Sequence, residues 1–319
     1  MQGLVTVFGG SGFIGSQVVR VLAKRGWRVR AAVRTPHLAH ELRPMGDVGQ
    51  IQVVRAHVGA PDTVAAALEG AQACVNLVGI LHETGKRKFQ TVHVEGARNV
   101  AQACAAEGIT RLVQVSAIGA DPDARSVYAR TKGDGEDVCR RAVPSTTVLR
   151  PSIVFGPGDG FFNRFAAMAS YAPVLPLPGG GKTRFQPVYV GDVASAVLKA
   201  VEDPSTAGAT YELGGPDVYS FRELMQIVLR ETGKGRALLP IPAAAARAAG
   251  VLGDVQAFFG LSPVITSDQA LLMERDNVCG GALPGLDALG VRPTSVEAVV
   301  PTYLWRYRKG GQFAQPQPA

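Results

Sequence analysis

Leu4-Val5-Thr6-Val7-Phe8-Gly9-Gly10-Ser11-Gly12-Phe13-Ile14-Gly15 decides how the rest of the chain is read. Its first five residues are apolar or β-branched, as a buried strand requires, and an amphipathic helical run over 14–25 follows the glycines directly. Each glycine of this G-x-x-G-x-x-G spacing has a physical task. Gly9 permits the sharp turn off the strand, Gly12 lets the backbone approach a pyrophosphate, and Gly15 lets helix and sheet pack closely. The helix opening adds free N–H groups and the positive end of its dipole. Gly9, Ser11, Gly12, Phe13, Ile14 and Gly15 are therefore candidate dinucleotide-binding residues. The alternative is a glycine-rich turn without a ligand, and the position between strand and helix favours binding.

Outward from this loop, short β-branched runs alternate with helical periodicity. Strands are expected over 4–8, 28–33, 73–77, 111–115 and 146–149, and helices over 14–25, 64–69 and 95–107. After Arg150-Pro151 the character changes, with Gly156-Pro157-Gly158 and Gly179-Gly180-Gly181 around a helical stretch over 161–168. A strand over 186–189, a helix over 192–202 and a last strand over 210–213 read as a return to the sheet. The predicted fold class is α/β, a Rossmann-type doubly wound parallel sheet with a smaller, mainly helical C-terminal lobe. The NAD(P)-binding domain is expected over 1–155, its sheet completed by about 186–215. The small lobe covers 156–185 and 216–309, and 310–319 is a flexible tail.

Composition narrows the function classes. The 319 residues are 46% hydrophobic and 18% charged, enough for a packed core, which excludes a disordered chain. A net charge of +7 suggests an anionic partner: nucleotide phosphate, acidic protein or anionic membrane face. No long Lys/Arg run with interleaved aromatics and no Cys/His finger spacing exists, so nucleic acid is not expected. Cys74, Cys104, Cys139 and Cys279 lie far apart without a C-x-x-C pair, arguing against metal and disulfides and for a reducing compartment. The first strand begins almost at Met1, leaving no room for a cleavable targeting segment, and no run of ~18 apolar residues spans a bilayer.

Where an NAD-preferring chain usually places an acid after the second strand, this one reads Val33-Arg34-Thr35-Pro36. Arg34 suits a 2′-phosphate, so NADPH is expected over NADH; a solvated arginine is the alternative. Tyr128 and Lys132 stand four apart on one helix face.

The glycine loop, Asn76-Leu77-Val78-Gly79, Tyr128 to Lys132 and Leu149-Arg150-Pro151-Ser152-Ile153-Val154-Phe155-Gly156 together resemble an extended or atypical short-chain dehydrogenase/reductase. The resemblance implies that Leu77, Val78, Gly79, Pro151 and Val154 also meet the cofactor. In such a protein Lys132 lowers the Tyr128 pKa and grips the nicotinamide ribose, so the phenol serves as acid or base. Tyr128, Lys132 and Ser116 are then the candidate catalytic residues. Ser116, in Val115-Ser116-Ala117-Ile118, is the sole candidate for polarising a carbonyl, where catalytic relatives often show a serine run. Losing such a donor costs about 3 kcal/mol of transition-state stabilisation. Holding the cofactor without chemistry is the competing role. His57 stands where relatives carry an aspartate against the adenine, and His93 where many carry an asparagine.

The segment over 148–197, with Phe161-Phe162-Asn163-Arg164-Phe165 and Gln186-Pro187-Val188-Tyr189-Val190-Gly191-Asp192-Val193, narrows the resemblance. It is similar to the nucleotide-binding accessory subunits of respiratory complex I, the thirty-nine-kilodalton type, and their bacterial relatives. That likeness implies tightly held NADPH, other complex I subunits as partners, contact with the membrane surface, and a peripheral place on the cytoplasmic side of a bacterial inner membrane. An active epimerase/dehydratase or reductase, and a nucleotide-sensing regulator, are the other readings. Residues 238–261 read as a loop and an amphipathic helix, for core packing or for a membrane or partner. The cluster Tyr303, Trp305, Arg306, Tyr307, Arg308 and Lys309 reads as an anchor or a helix cap.

Overall fold

The computed structural model describes residues 3–85, 87–258 and 265–313. Residues 259–261 of the expected amphipathic helix, and 314–319 of the expected tail, lie outside them. In chain order β1 (Leu4–Phe8), α1 (Phe13–Lys24), β2 (Arg28–Val33), β3 (Ile51–Arg55), α2 (Pro61–Leu68) and β4 (Ala73–Asn76) come first. A π-turn (Gln90–Glu95) leads into α3 (Gly96–Ala106), followed by β5 (Arg111–Val115), α4 (Val127–Ala142) and β6 (Thr147–Pro151). Next come β7 (Val154–Phe155), α5 (Phe162–Tyr171), β8 (Val174–Pro178), β9 (Arg184–Phe185) and β10 (Val188–Tyr189). Then follow α6 (Val190–Glu202), β11 (Thr210–Leu213), β12 (Tyr219–Ser220), α7 (Phe221–Thr232), β13 (Ala237–Ile241), α8 (Ala243–Phe258) and α9 (Ser267–Leu272).

Two compact units result. The first takes Met1–Pro151, Gly191–Leu213 and Gly281–Val291; the second takes Ser152–Val190, Gly214–Gly280 and Arg292–Ala319.

The first unit holds a seven-stranded sheet in the order β11-β6-β5-β4-β1-β2-β3, parallel throughout. The chain winds one way from β1 to β3 and the other way from β4 onward. Between β1 and β4 the order reverses, the place where ligands sit outside the carboxyl ends of strands. All five residues of β1 are buried, so it reads as continuous rather than alternating apolar sequence. Its one polar side chain, Thr6, donates to the Ala67 carbonyl at 2.7 Å, so its burial leaves no donor unmet. Phe8, Val64, Leu68, Val100 and Leu112 centre one core layer.

The second unit packs Phe155, Phe162, Phe185 and Phe221 into its core, with edge-on contacts such as Phe165 against Phe221 at 5.4 Å. The strand expected over 186–189 does not join the large sheet: β10 pairs with β7. Pro187 has no N–H for a ladder and splits this stretch into two-residue strands, β9 pairing instead with β12. Of the aromatic and basic cluster, Tyr303 packs into this core, its hydroxyl donating to Asp159 at 2.5 Å, while Arg306 is exposed.

The helix expected within 238–261 forms as α8 and turns small residues inward. Ala246, Gly250, Gly253 and Ala257 are buried, while Val251 and Leu252 are 58% and 69% exposed. Gly250 decides this: a Cβ there would stand 2.7 Å from the Ser267 backbone, so α8 approaches α9 through its small residues.

Candidate functional site

The glycine loop is built as its spacing requires. Gly9 turns off β1 at φ +80°, a left-handed conformation costly to any other residue, and its N–H donates to Ala32 at 3.1 Å. Gly12 closes the turn by donating to Gly9 O at 3.0 Å. A Cβ on Gly15 would run into Gly9 O and lie 2.9 Å from Gly10, so only glycine lets α1 start this close to the loop. A Cβ on Gly12 meets only Gly9 O, at 3.3 Å. Gly12 is the N-cap of α1, no side chain caps the first turn, and no acid stands in it. Helix openings in this state suit an anion.

The mouth of β4 faces this loop. Gly9 lies against Leu77 and Val78, whose Cγ2 would be 3.4 Å from a Gly9 Cβ. Leu77 N donates to Phe8 O at 3.1 Å and Val78 N to Asn76 Oδ1 at 3.2 Å. Asn76 is oriented by Gln114, at 2.8 Å. Arg34 is exposed at the carboxyl end of β2 and makes no ion pair among the described residues. Partial burial, then the Arg34 charge, lower the Arg87 guanidinium below its ordinary value. Two cations therefore share one field beyond the carboxyl end of β2.

Lys132 meets Gly79 and the end of β5 that leads into Ser116, and Tyr128 stands one turn before it on α4. Ser126 caps α4, accepting from Ala129 N at 3.2 Å, and Tyr128 and Lys132 follow on its first turns. Lys132 is buried and donates from Nζ to Val115 O at 2.9 Å, beside Ser116. Burial lowers its pKa to about 8, with the Glu136 carboxylate opposing. Glu136 in turn receives a bidentate pair from Arg150 at 2.9 and 2.7 Å. A Cβ on Gly79 would lie 3.8 Å from Lys132 Nζ and 3.6 Å from His93 Nε2. Ser116 N is fixed to Leu149 O at 2.7 Å, yet its buried hydroxyl has no hydrogen-bond partner.

Pro151 ends β6, its carbonyl accepting from Ile118 N at 3.0 Å. Val154 belongs to β7 in the second unit, paired with Val188. His57 is exposed and its Nδ1 accepts from Gly59 N at 3.0 Å. Sequence reasoning missed His93 and Glu136 as site components. Glu136 had a signal, four residues beyond Lys132 on the same helix face; His93 had none beyond its position. Among the described residues no group of three or more His, Cys, Asp or Glu gathers as a metal requires.

These residues fit a dinucleotide: an uncapped helix mouth cleared by glycine, two neighbouring guanidinium groups in no ion pair among the described residues, and an orphaned buried hydroxyl at Ser116. The model of the NAD dependent epimerase/dehydratase family matches residues 5–214. The chain is 33% identical to NADH dehydrogenase (ubiquinone) 1 alpha subcomplex subunit 9 of Arabidopsis thaliana, over 98% of this chain and 80% of that protein. It is 30% identical to a ceramide reductase of Caulobacter vibrioides, over 79% and 78%. The fold also matches dTDP-glucose 4,6-dehydratase from Streptomyces venezuelae with NAD bound, at a TM-score of 0.72 and 20% identity, over 95% and 96%. With two-thirds of its length under one family model and near-complete alignment to subunit 9 proteins, the chain belongs to the NAD dependent epimerase/dehydratase family, with those subunits as homologues.

Proposed function

We propose that this protein holds NADPH as a non-catalytic accessory subunit or assembly factor of respiratory complex I. The cofactor half of this reading is carried by the mouth of α1, which has no cap, no acid and no room for a Cβ at Gly15. NADPH over NADH is supported by Arg34, beside Arg87 and in no ion pair among the described residues. When bound, the dinucleotide supplies hydride chemistry; the chain's own residues grip it. Main-chain amides of Ser11 to Ile14 take the pyrophosphate, Leu77 to Gly79 line the crevice, and Tyr128 and Lys132 take a ribose. The accessory role is supported by the alignment to subunit 9 proteins along almost the whole chain. Other complex I subunits are then its partners, and its place is peripheral, on the cytoplasmic side of a bacterial inner membrane. No helix among the described residues is long and apolar enough to cross a membrane. Val251 and Leu252, exposed on α8, support contact with a surface of partner or lipid.

The test is purification from native membranes with identification of co-purifying subunits, together with analysis of the released nucleotide. Complex I subunits and NADPH that stays unoxidised across a carbonyl and nucleotide-sugar panel support the reading. Their absence removes it.

One observation favours a second reading. The Ser116 hydroxyl, buried without a partner next to the Val115 carbonyl that Lys132 holds, is suited to a substrate carbonyl, and a ceramide reductase is among the relatives. An NAD(P)-dependent reductase or epimerase/dehydratase would show steady turnover that Tyr128→Phe abolishes.

A further inference from the structure

His93 sits on the π-turn Gln90–Glu95, a local widening of the helix common where a side chain must be aimed at a site. The turn fits against α4 because a Cβ on Gly135 would come 2.5 Å from His93 O. The ring is buried and both its nitrogens are engaged. Nε2 accepts from Ile80 N–H at 3.1 Å, which leaves the proton on Nδ1, donated to Thr131 Oγ1 at 3.1 Å. Thr131 Oγ1 in turn donates a hydrogen bond to Val127 O at 2.8 Å, in the first turn of α4. The ring also meets Tyr128 edge-on at 5.4 Å and Phe89 at 5.3 Å.

One imidazole thus bridges the segment after β4 and the helix turn that carries Tyr128 and Lys132. The geometry points to His93 as a positioning residue that sets the gap between the Gly79–Ile80 backbone and the Tyr128/Lys132 pair, and so the fit of the nicotinamide-side ribose. This rests on the cofactor reading above. A neutral ring is essential to it, because a second cation would stand against Lys132. Burial, and then the Lys132 charge, keep His93 neutral, its pKa lowered to about 3.

The experiment compares two ligands on the full-length protein. NADPH reaches the Tyr128/Lys132 end, whereas adenosine 2′,5′-bisphosphate carries only the other half. His93→Phe keeps an aromatic ring and loses both hydrogen bonds. It is expected to weaken NADPH at least about 10-fold and leave the bisphosphate within about 2-fold. His93→Asn, with an acceptor and a donor, should restore most of the difference. Thr131→Val, which removes only the Nδ1–H partner, should show the same selectivity more weakly and serves if His93→Phe does not fold. Parallel loss of both ligands would make His93 a general structural residue, and unchanged NADPH affinity would leave it without a role; either result overturns the inference. A wild-type protein that takes neither ligand removes the cofactor reading and this inference with it.

Discussion

Lys132 Nζ, buried beneath α4, donates to the carbonyl of Val115, the residue directly before Ser116. The bond ties the helix lysine to the end of β5 even as burial favours loss of the lysine's proton. That conflict has a measurable consequence. The unfolded chain keeps the proton up to about pH 10.5, whereas the folded chain releases it near 8. Between those values the unfolded state binds more protons, so stability rises with pH. Lys132→Met lacks this contribution. Relative to it, the wild type should gain about 1.4 kcal/mol per pH unit above 8 in urea unfolding. A difference between the two proteins that stays constant from pH 7.5 to 9.5 would contradict the burial argument.

His93 gives the opposite end of the pH scale. Its folded pKa of about 3 lies below the ordinary 6.5, so on acidification the unfolded chain takes a proton that the folded chain refuses. Stability is therefore lost progressively as pH falls from 6.5 towards 3. His93→Asn should flatten this limb by about 1.4 kcal/mol per pH unit. Identical acid limbs in the two proteins would refute it.

Removing the Ser116 hydroxyl should stabilise the protein. The oxygen is buried and unpaired, so Ser116→Ala relieves a desolvation cost of about 1 kcal/mol and raises Tm. A lowered Tm would show that the hydroxyl has a partner. If the protein is a reductase, the same variant gains stability and loses turnover.

Two glycines of the loop should separate folding from binding. Gly15→Ala forces a Cβ into the Gly9 carbonyl and is expected to cost about 2 kcal/mol or more of stability. Gly12→Val meets one oxygen at 3.3 Å, so the fold should survive while the pyrophosphate space is filled. Retained NADPH in folded Gly12→Val would mean that the loop is misread.

Arg34→Ala should weaken NADPH by at least about 10-fold and leave NADH unchanged, as measured by titration. Equal loss for both nucleotides would remove the assignment of the 2′-phosphate to this residue.

The parts of the fold legible in sequence are those with local causes. The turn at Gly9, the helix start at Gly12 and the parallel strands around them follow from neighbours in the chain, as does the Tyr128/Lys132 face. Features decided by distant contacts were not legible. His93 reaches partners 13 and 38 residues away, and nothing in its own surroundings marks the π-turn that aims it. Which side of α8 is buried depends on the meeting of Gly250 with Ser267, a contact that composition does not announce. Pro187 was visible, but a proline alone does not say which short strands will pair on either side of it.

The His93-to-Thr131 hydrogen bond also gives the molecule a native reporter. An imidazole at the surface trades its ring hydrogen with solvent too fast to be seen by magnetic resonance, but this one is 3% exposed and shielded by Phe89 and Tyr128. Its signal should stand downfield of the amides and shift when the crevice fills, so occupancy can be followed without a label.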